Sequence, residues 1–287
     1  MFGFLNVYKP VGKTSHDVVT YFRKLLKIKQ IGHTGTLDPF AEGVLPICIG
    51  KATRLIEYLP DDKAYIAYVQ FGKSTDTYDT EGEITAEYDK KVIKNDVLST
   101  IKNFEGEIEQ YPPIYSAIKL DGKKLYEYAR EGKKIEIKPR KVKISKIELK
   151  EFDENNQTAQ IYIECSKGTY IRSIANDLGK VLECGGYLYK LIRTKAGNFA
   201  LENSIEMNNF QSEEYVKKNL IEPIKMLNLP IYELSETELQ KVSHGQNLLN
   251  KSIKCVDFVI LIYNNRIKAV AKFDNGIIKV NKVFDNV

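Results

Sequence analysis

The chain has 287 residues, of which 43% are hydrophobic and 28% are charged, and its formal net charge at pH 7 is +5. These values are ordinary for a globular protein and exclude collagen-like, disulfide-scaffold and wholly disordered chains. About two domains are expected, because domains commonly hold roughly 150 residues each. No apolar run approaches the roughly 18 residues that a membrane helix needs, and the N-terminus lacks the pattern of a secretory signal. We therefore expect a cytoplasmic protein that does not bind membranes.

A helix and a long loop are predicted in the first fifty residues. Apolar side chains recur on one face of Thr14–Lys29, and Thr14 and Asp17 have the spacing of a capping box that begins a helix. Residues 31–50 are expected to be largely loop, because glycines and Pro39 interrupt any regular period.

Strands dominate the predictions for the rest of the chain. Alternating apolar residues predict strands at residues 64–71, 135–137, 142–144, 147–149, 159–165, 256–263, 266–273 and 277–284. Short helices are predicted at residues 125–130, 171–178 and 236–242. Because strands and helices do not alternate strictly, an α+β fold is favoured over a doubly wound sheet. We expect one mixed helix-and-sheet domain over residues 1–228 and a small β-rich domain over residues 229–287.

The positive charge is concentrated in one segment. Residues 119–150 contain twelve basic and five acidic side chains, and the rest of the chain carries a small negative excess. Such a segment is typical of a surface that binds a polyanion, although a solvated lysine-rich face explains the same pattern. Charge alone slightly favours the solvated face.

Several common chemistries lack their sequence patterns. Gly12-Lys13-Thr14 resembles the end of a P-loop, but Val7 occupies the position of the first glycine. The four cysteines form no C-x-x-C pair and the three histidines have no metal-ligand spacing, so we expect no zinc and no other metal. Phosphoryl transfer and metal-dependent hydrolysis therefore lose their usual support.

Residues 32–46 carry the strongest chemical signal. They form a glycine-punctuated segment in which Asp38 precedes Pro39 and apolar residues follow. Glycines let the backbone approach a ligand closely, and Pro39 restricts Asp38 toward an extended conformation. On these residues alone, an aspartate that caps a turn is the more common explanation.

This segment resembles the catalytic motif of the TruB family, the bacterial tRNA pseudouridine-55 synthases. The resemblance continues through ordered motifs at residues 6–15, 63–65, 72–82, 112–119, 165–173 and 191–194. It implies an α+β fold with a mixed-sheet pseudouridine synthase catalytic domain, which includes an RNA-contacting insertion near residues 110–150. The C-terminal residues resemble, more loosely, a small PUA-like RNA-binding domain.

The family's reaction is the isomerisation of uridine to pseudouridine, an intramolecular transfer that breaks a C1′–N1 bond and forms a C1′–C5 bond. The resemblance implies that no metal and no cofactor take part. Asp38 matches the nucleophilic aspartate, and Arg172 matches the arginine that pairs with it. An ordinary aspartate is ionised at neutral pH, so Asp38 is expected to need orientation more than activation. Whether it attacks C1′ of the ribose or C6 of the base stays open.

A base must leave its stack before an enzyme reaches it, and the family provides an aromatic pocket for the flipped base. Tyr65 matches the tyrosine that stacks on the base, and Tyr170 and Leu191 match residues that line the pocket. Ile192 departs from the family's more common arginine, so the role of that position stays open. The resemblance further implies RNA contacts for three residues: His33, Arg54 and Lys119.

The implied substrate is the T-arm stem-loop of tRNA, with no guide RNA and no obligatory protein partner. Two alternatives stay open. One is a tRNA-binding folding helper whose catalysis is dispensable, and the other is a guide-RNA-dependent relative of the kind found in archaea and eukaryotes. The presence of Asp38, Tyr65 and Arg172 argues against lost activity, and the short C-terminal region argues against the guide-dependent form.

Overall fold

The fold combines many strands with short helices in a computed structural model that describes residues 1–116, 118–133, 135–249 and 257–284. The strands are β1 (Gly3–Lys9), β2 (Ile31–His33), β3 (Glu42–Ile49), β4 (Lys63–Phe71), β5 (Lys73–Thr75), β6 (Ile84–Glu87), β7 (Gly106–Gln110), β8 (Lys119–Leu120), β9 (Lys123–Lys124), β10 (Arg140–Asp153), β11 (Thr158–Cys165), β12 (Gly186–Ala196), β13 (Phe199–Ala200), β14 (Ile205–Glu206), β15 (Ile231–Glu233), β16 (Leu248–Leu249), β17 (Phe258–Tyr263), β18 (Arg266–Asp274) and β19 (Ile277–Val283). The α-helices are α1 (Ser15–Leu26), α2 (Lys94–Ile101), α3 (Leu125–Arg130), α4 (Ile171–Val181), α5 (Glu213–Lys218) and α6 (Glu236–Ser243). Segments of 3-10 helix occupy Gly50–Tyr58, Lys102–Phe104, Leu201–Asn203, Met207–Asn209 and Pro223–Lys225.

Two sheets organise the described residues. A mixed sheet of ten strands has the order β14-β1-β3-β12-β4-β11-β10-β7, with β2 and β13 added at its side. Its centre mixes directions, since β12 runs parallel to β3 and antiparallel to β4. A separate sheet of five strands has the order β15-β17-β18-β19-β16. This mixed sheet with a smaller C-terminal sheet confirms the expected α+β class.

Three apolar clusters hold the large sheet to its neighbours. Helices α2 and α4 cover the half that contains β4 and β11. Helix α1 covers the other half, where Phe22 packs among residues of β1 and β3. A third cluster joins the two sheets, because Phe4 and Tyr58 pack with Ile260 and Phe284. The C-terminal sheet therefore sits on an apolar contact with the large sheet.

The predicted helix at Thr14–Lys29 is confirmed at its start and is shorter at its end. The Thr14 hydroxyl accepts a hydrogen bond from the Asp17 amide at 3.0 Å, and the Asp17 carboxylate accepts one from the Thr14 amide at 2.9 Å. The helix ends at Leu26 because Lys27 adopts a left-handed conformation with φ of 54°. The capping box therefore fixes the start of α1 as its spacing predicts.

Three strand predictions need correction. The expectation that residues 31–50 are largely loop is wrong, because β2 and β3 lie there and β3 is central and almost wholly buried. A strand covered on both faces shows no alternation, which hid β3 in the sequence. The strand predicted at residues 135–137 is wrong, since residues 135–139 are irregular. Residues 142–144 and 147–149 belong to one bulged strand, β10.

Other strand predictions differ only in their ends. The strand expected at residues 256–263 begins at Phe258, and the Val256 start of that prediction lies outside the described residues. Cys255 also lies outside them, whereas Cys48, Cys165 and Cys184 are free and buried.

Gly43 marks the point where β3 meets β12. Its φ of +107° disfavours any other residue, and a Cβ there would overlap the backbone carbonyl oxygen of Arg193. Gly106 has a similar φ of +101°, but its Cβ would have no neighbour within 4 Å. Comparing an alanine substitution at each glycine therefore distinguishes the effect of backbone strain from the effect of steric overlap.

We expect Gly43→Ala to lower the free energy of unfolding by at least twice as much as Gly106→Ala. Gly106→Ala is the control, because it introduces only the strain of a disfavoured backbone conformation, about 1–3 kcal/mol. Gly43→Ala introduces the same strain and must also displace β12, which lowers stability further. Urea denaturation followed by circular dichroism measures both variants. Equal losses would contradict the overlap with β12.

Candidate active site

One cavity of about 630 Å³ opens beside the central strands of the large sheet. The five residues predicted for catalysis or for the pocket all line it, namely Asp38, Tyr65, Tyr170, Arg172 and Leu191. They come from the loop between β2 and β3, from β4, from the start of α4 and from β12. The sheet order β3-β12-β4 brings these separate segments together.

Asp38 and Arg172 form an ion pair in this cavity. Arg172 Nε lies 3.0 Å from Asp38 Oδ2, and Nη2 lies 3.5 Å from Oδ1. The Nε contact is an ion pair without hydrogen-bond geometry, whereas Nη2 donates a hydrogen bond to Oδ1. Arg172 is only 5% exposed, whereas the Asp38 side chain is 33% exposed. The carboxylate is thus fixed on one side and open to the cavity on the other.

The Arg172 guanidinium has three further partners. Nη1 donates to Asp79 Oδ2 at 3.1 Å and to the Thr77 carbonyl at 3.3 Å, and Nη2 donates to the Tyr115 carbonyl at 3.1 Å. Each of these contacts leaves less freedom for the guanidinium to rotate away from Asp38. Arg172 is therefore oriented from several segments of the chain at once.

Asp79 is a site residue that the sequence did not single out. It is 2% exposed, and its Oδ1 accepts hydrogen bonds from the Thr77 hydroxyl at 2.6 Å and from the Glu81 amide at 3.0 Å. It lies within the motif at residues 72–82, which is the only signal that marked it. Together with Asp38 it places two carboxylates on one buried guanidinium. Removing any one of the three groups would leave a buried charge without its partner, which is strongly unfavourable.

The pKa of Asp38 departs from the expectation. Residue type alone predicts an ordinary value, but removal of water from the carboxylate raises the pKa. Arg172 opposes this rise and Asp79 adds to it. The ionised form of Asp38 therefore depends on Arg172 for its charge as well as for its direction.

Two fully buried cations hold the loop that carries Asp38. Lys9 Nζ donates to the carbonyls of Pro10, Lys13 and Pro39 at 2.9, 2.7 and 3.3 Å. Arg193 donates to the carbonyls of Val44, Thr36 and Gly35 at 2.7, 3.2 and 3.1 Å. Desolvation lowers the pKa of Lys9 to about 8. Backbone carbonyls on both sides of Asp38 are thereby tied to the sheet.

Tyr65 and Tyr170, two aromatic residues of the cavity, are also fixed by their surroundings. Burial raises the pKa of Tyr65 to about 12, although the nearby Arg193 guanidinium opposes the rise, so its phenol stays protonated at neutral pH. The Tyr170 backbone is clamped by Gln110, which accepts from the Tyr170 amide at 2.7 Å and donates to its carbonyl at 2.9 Å. Gln110 was not predicted, since nothing in its own neighbourhood marks an amide that pairs with a distant backbone.

The three residues predicted to contact RNA lie outside the cavity wall. His33 is half-buried in β2, and burial lowers its pKa. Arg54 is exposed, donates from Nη1 to the Val283 carbonyl at 2.9 Å and lies 5.1 Å from the Phe284 ring centre. Lys119 is exposed on β8. Their side chains therefore do not line the cavity that holds Asp38.

The basic segment reaches the rim of the cavity through α3. Tyr126 and Arg130 line the cavity, and the Arg130 guanidinium lies 5.3 Å from the Tyr126 ring centre. Tyr115, whose carbonyl binds Arg172, also lines it. Positive charge and half-buried aromatic rings therefore lie together at this rim, a combination typical of surfaces that bind polyanions.

Two other features are absent from the residues that the structure describes. These residues contain no group of three or more His, Cys, Asp and Glu side chains placed to hold a metal ion. None of their helices has both the length and the apolar content required to cross a membrane.

Family models match two consecutive parts of the chain. The model described as "TruB family pseudouridylate synthase (N terminal domain)" matches residues 23–171. The model described as "tRNA pseudouridylate synthase B C-terminal domain" matches residues 172–233.

Whole-chain relatives and solved structures agree with these matches. The tRNA pseudouridine synthase B of Carboxydothermus hydrogenoformans is 43% identical over 99% of this chain and 99% of its own length. The protein of the same name from Trichormus variabilis is 40% identical over 100% of both chains. A chain in the crystal structure of a Cbf5-Nop10-Gar1 complex has a TM-score of 0.74 and 27% identity, covering 98% of this chain and 84% of that one. The chain belongs to the TruB family of pseudouridylate synthases.

Proposed function

We propose that this protein is an isomerase that converts uridine 55 in the T-loop of tRNA to pseudouridine. The observation that carries the proposal is the Asp38 carboxylate, held 3.0 Å from Arg172 Nε at the wall of a cavity large enough for a nucleotide. Relatives of nearly the same length named tRNA pseudouridine synthase B support tRNA as the substrate.

The proposed reaction begins when the target uridine leaves its stack and enters the cavity. Its base stacks on Tyr65, while Tyr170 and Leu191 close the pocket around it. Asp38 then acts as the nucleophile, at C1′ of the ribose or at C6 of the base. The C1′–N1 bond breaks, the C1′–C5 bond forms, C5 loses its proton and N1 gains one, so the reaction needs no external reactant.

RNA recognition is proposed to extend beyond the cavity. His33, Arg54 and Lys119 contact the RNA, and residues 229–287 form a PUA-like RNA-binding domain beside a catalytic domain over residues 1–228. No guide RNA and no obligatory protein partner are required, a proposal supported by end-to-end similarity to proteins named as tRNA enzymes.

We expect Asp38→Asn to reduce the single-turnover rate by at least about a thousandfold, because an amide cannot act as the nucleophile. Pseudouridine is mapped on an unmodified tRNA transcript by carbodiimide-dependent stops in primer extension. Asp62→Asn is the matched control, since Asp62 pairs with Lys195 outside the cavity. A wild-type rate for Asp38→Asn would overturn the role of Asp38, and retained RNA binding without product would separate binding from catalysis.

We expect Arg172→Lys to shift the acid limb of the rate profile to higher pH. Activity requires ionised Asp38, whose pKa burial raises and Arg172 lowers, and a lysine cannot fork between Asp38 and Asp79. The pKa of Asp38 therefore rises, and activity is lost at a higher pH as the solution is acidified. The control is Arg23→Lys, because Arg23 donates to the Ile31 carbonyl and does not line the cavity. An unshifted acid limb would contradict this coupling.

We expect RNA affinity to fall steeply with salt, because lysine and arginine contacts to phosphates release counterions. Lys119→Ala should reduce the slope of log K against log salt by about 0.7–0.9. Lys217→Ala is the control, because Lys217 pairs with Glu213 on α5. Filter binding of a T-arm stem-loop from low to physiological salt measures the slopes, and equal slopes for the wild type and Lys119→Ala would exclude a phosphate contact at this residue.

A further inference from the structure

Lys63 is a cation in the cavity that the mechanism above leaves unused. It is the first residue of β4, it is partly buried, and it lines the same cavity as Asp38. Its ammonium lies beside the loop that carries Asp38, since a Cβ built on Gly35 would be 3.8 Å from Nζ. The charge therefore faces the space where the substrate would lie.

The ammonium of Lys63 forms no hydrogen bond and no ion pair with any residue in the described ranges. Asp61, the carboxylate whose charge acts on it, is already paired with Lys167 at 2.7 Å. The Arg193 guanidinium nearby is a second positive charge, and burial together with this neighbour lowers the pKa of Lys63. Lys9 differs, because its buried ammonium is satisfied by three carbonyls.

An unpaired ammonium in a partly dry cavity is unfavourable for the folded state and is expected to have a partner that arrives later. At this end Lys63 lines the cavity and the fully buried Arg193 guanidinium lies nearby, since both approach Gly35, so the missing partner is an anion. In a polynucleotide the only anionic groups are the phosphates.

The position of Lys63 along β4 selects which phosphate can reach it. Lys63 and Tyr65 are two residues apart on one strand, and both line the cavity, so their side chains leave the same face. Equivalent atoms two residues apart on a strand are separated by about 6–7 Å. A base stacked on Tyr65 brings the phosphates of its own nucleotide within reach of a long side chain at position 63.

We propose that Lys63 binds a phosphate group adjoining the extruded nucleotide and so anchors its backbone while the base occupies the pocket. This inference rests on the proposed function, because it takes the base position from the stacking role of Tyr65. Either the 5′ or the 3′ phosphate provides the same chemistry, and the experiment distinguishes them.

The test measures equilibrium binding of a T-arm stem-loop RNA to full-length Lys63→Met, with Lys217→Met as the matched control. We expect Lys63→Met to bind about tenfold more weakly and to lower the salt slope by about one, whereas the control is unchanged. Lys63→Arg should restore most of the binding, because a guanidinium also pairs with phosphate. The thermal midpoint of Lys63→Met should equal or exceed that of the wild type, since an unpaired charge is removed.

A second arm replaces one phosphate of the RNA by a neutral methylphosphonate, on the 5′ or the 3′ side of the reacting uridine. One of the two replacements should weaken wild-type binding about tenfold and leave Lys63→Met binding unchanged. The proposal would be overturned if, for both RNA replacements, the loss of affinity from the replacement added to the loss from Lys63→Met. It would also be overturned if Lys63→Met bound the natural RNA as tightly as the wild type does. Because affinity is measured separately from product formation, failure of wild type to form pseudouridine would count against the proposed function alone.

Discussion

A single guanidinium between two carboxylates is the interaction on which the rest of this site depends. Arg172 is almost wholly buried, and it contacts Asp38 and Asp79 within 3.1 Å. Removing water from three charged groups is unfavourable unless they compensate one another. The remaining donors of the guanidinium reach the Thr77 and Tyr115 carbonyls, so charge balance in the cavity also fixes the course of two loops. The contacts that balance the charges in the cavity are therefore also the contacts that position its loops.

The loop that carries Asp38 obeys a related constraint. Its carbonyl groups turn inward, and buried carbonyls need donors because water cannot reach them. Lys9 and Arg193 provide those donors from β1 and β12, on opposite sides of β3 in the sheet. A loop punctuated by glycines would otherwise have considerable conformational freedom. The two cations convert it into a fixed support for a carboxylate without adding any group to the cavity itself.

Local features of this chain were predictable from residue spacing, whereas a long-range contact was predictable only where the family resemblance implied it. The capping box of α1 depends on residues three apart, and its spacing identifies it directly. Strand β3 was not predicted, because a strand buried on both faces loses the alternation of apolar and polar residues by which strands are detected. The family resemblance pointed to Asp38 and Arg172, and the sheet order explains why residues so distant in sequence share one cavity. The clamp of Gln110 on Tyr170 spans sixty residues, and no local pattern encodes it.

The apolar cluster between the two sheets has a consequence for biosynthesis. Phe2 and Phe284 have ring centres 5.8 Å apart, so residues very distant in the sequence share one contact. Phe2 leaves the ribosome long before Phe284 does, and until then part of the apolar surface of β1 is uncovered. Contacts between such distant residues form slowly, and an exposed surface during the wait favours aggregation. Completion of this core thus depends on the synthesis of Phe284, which comes after every strand of the large sheet has been made.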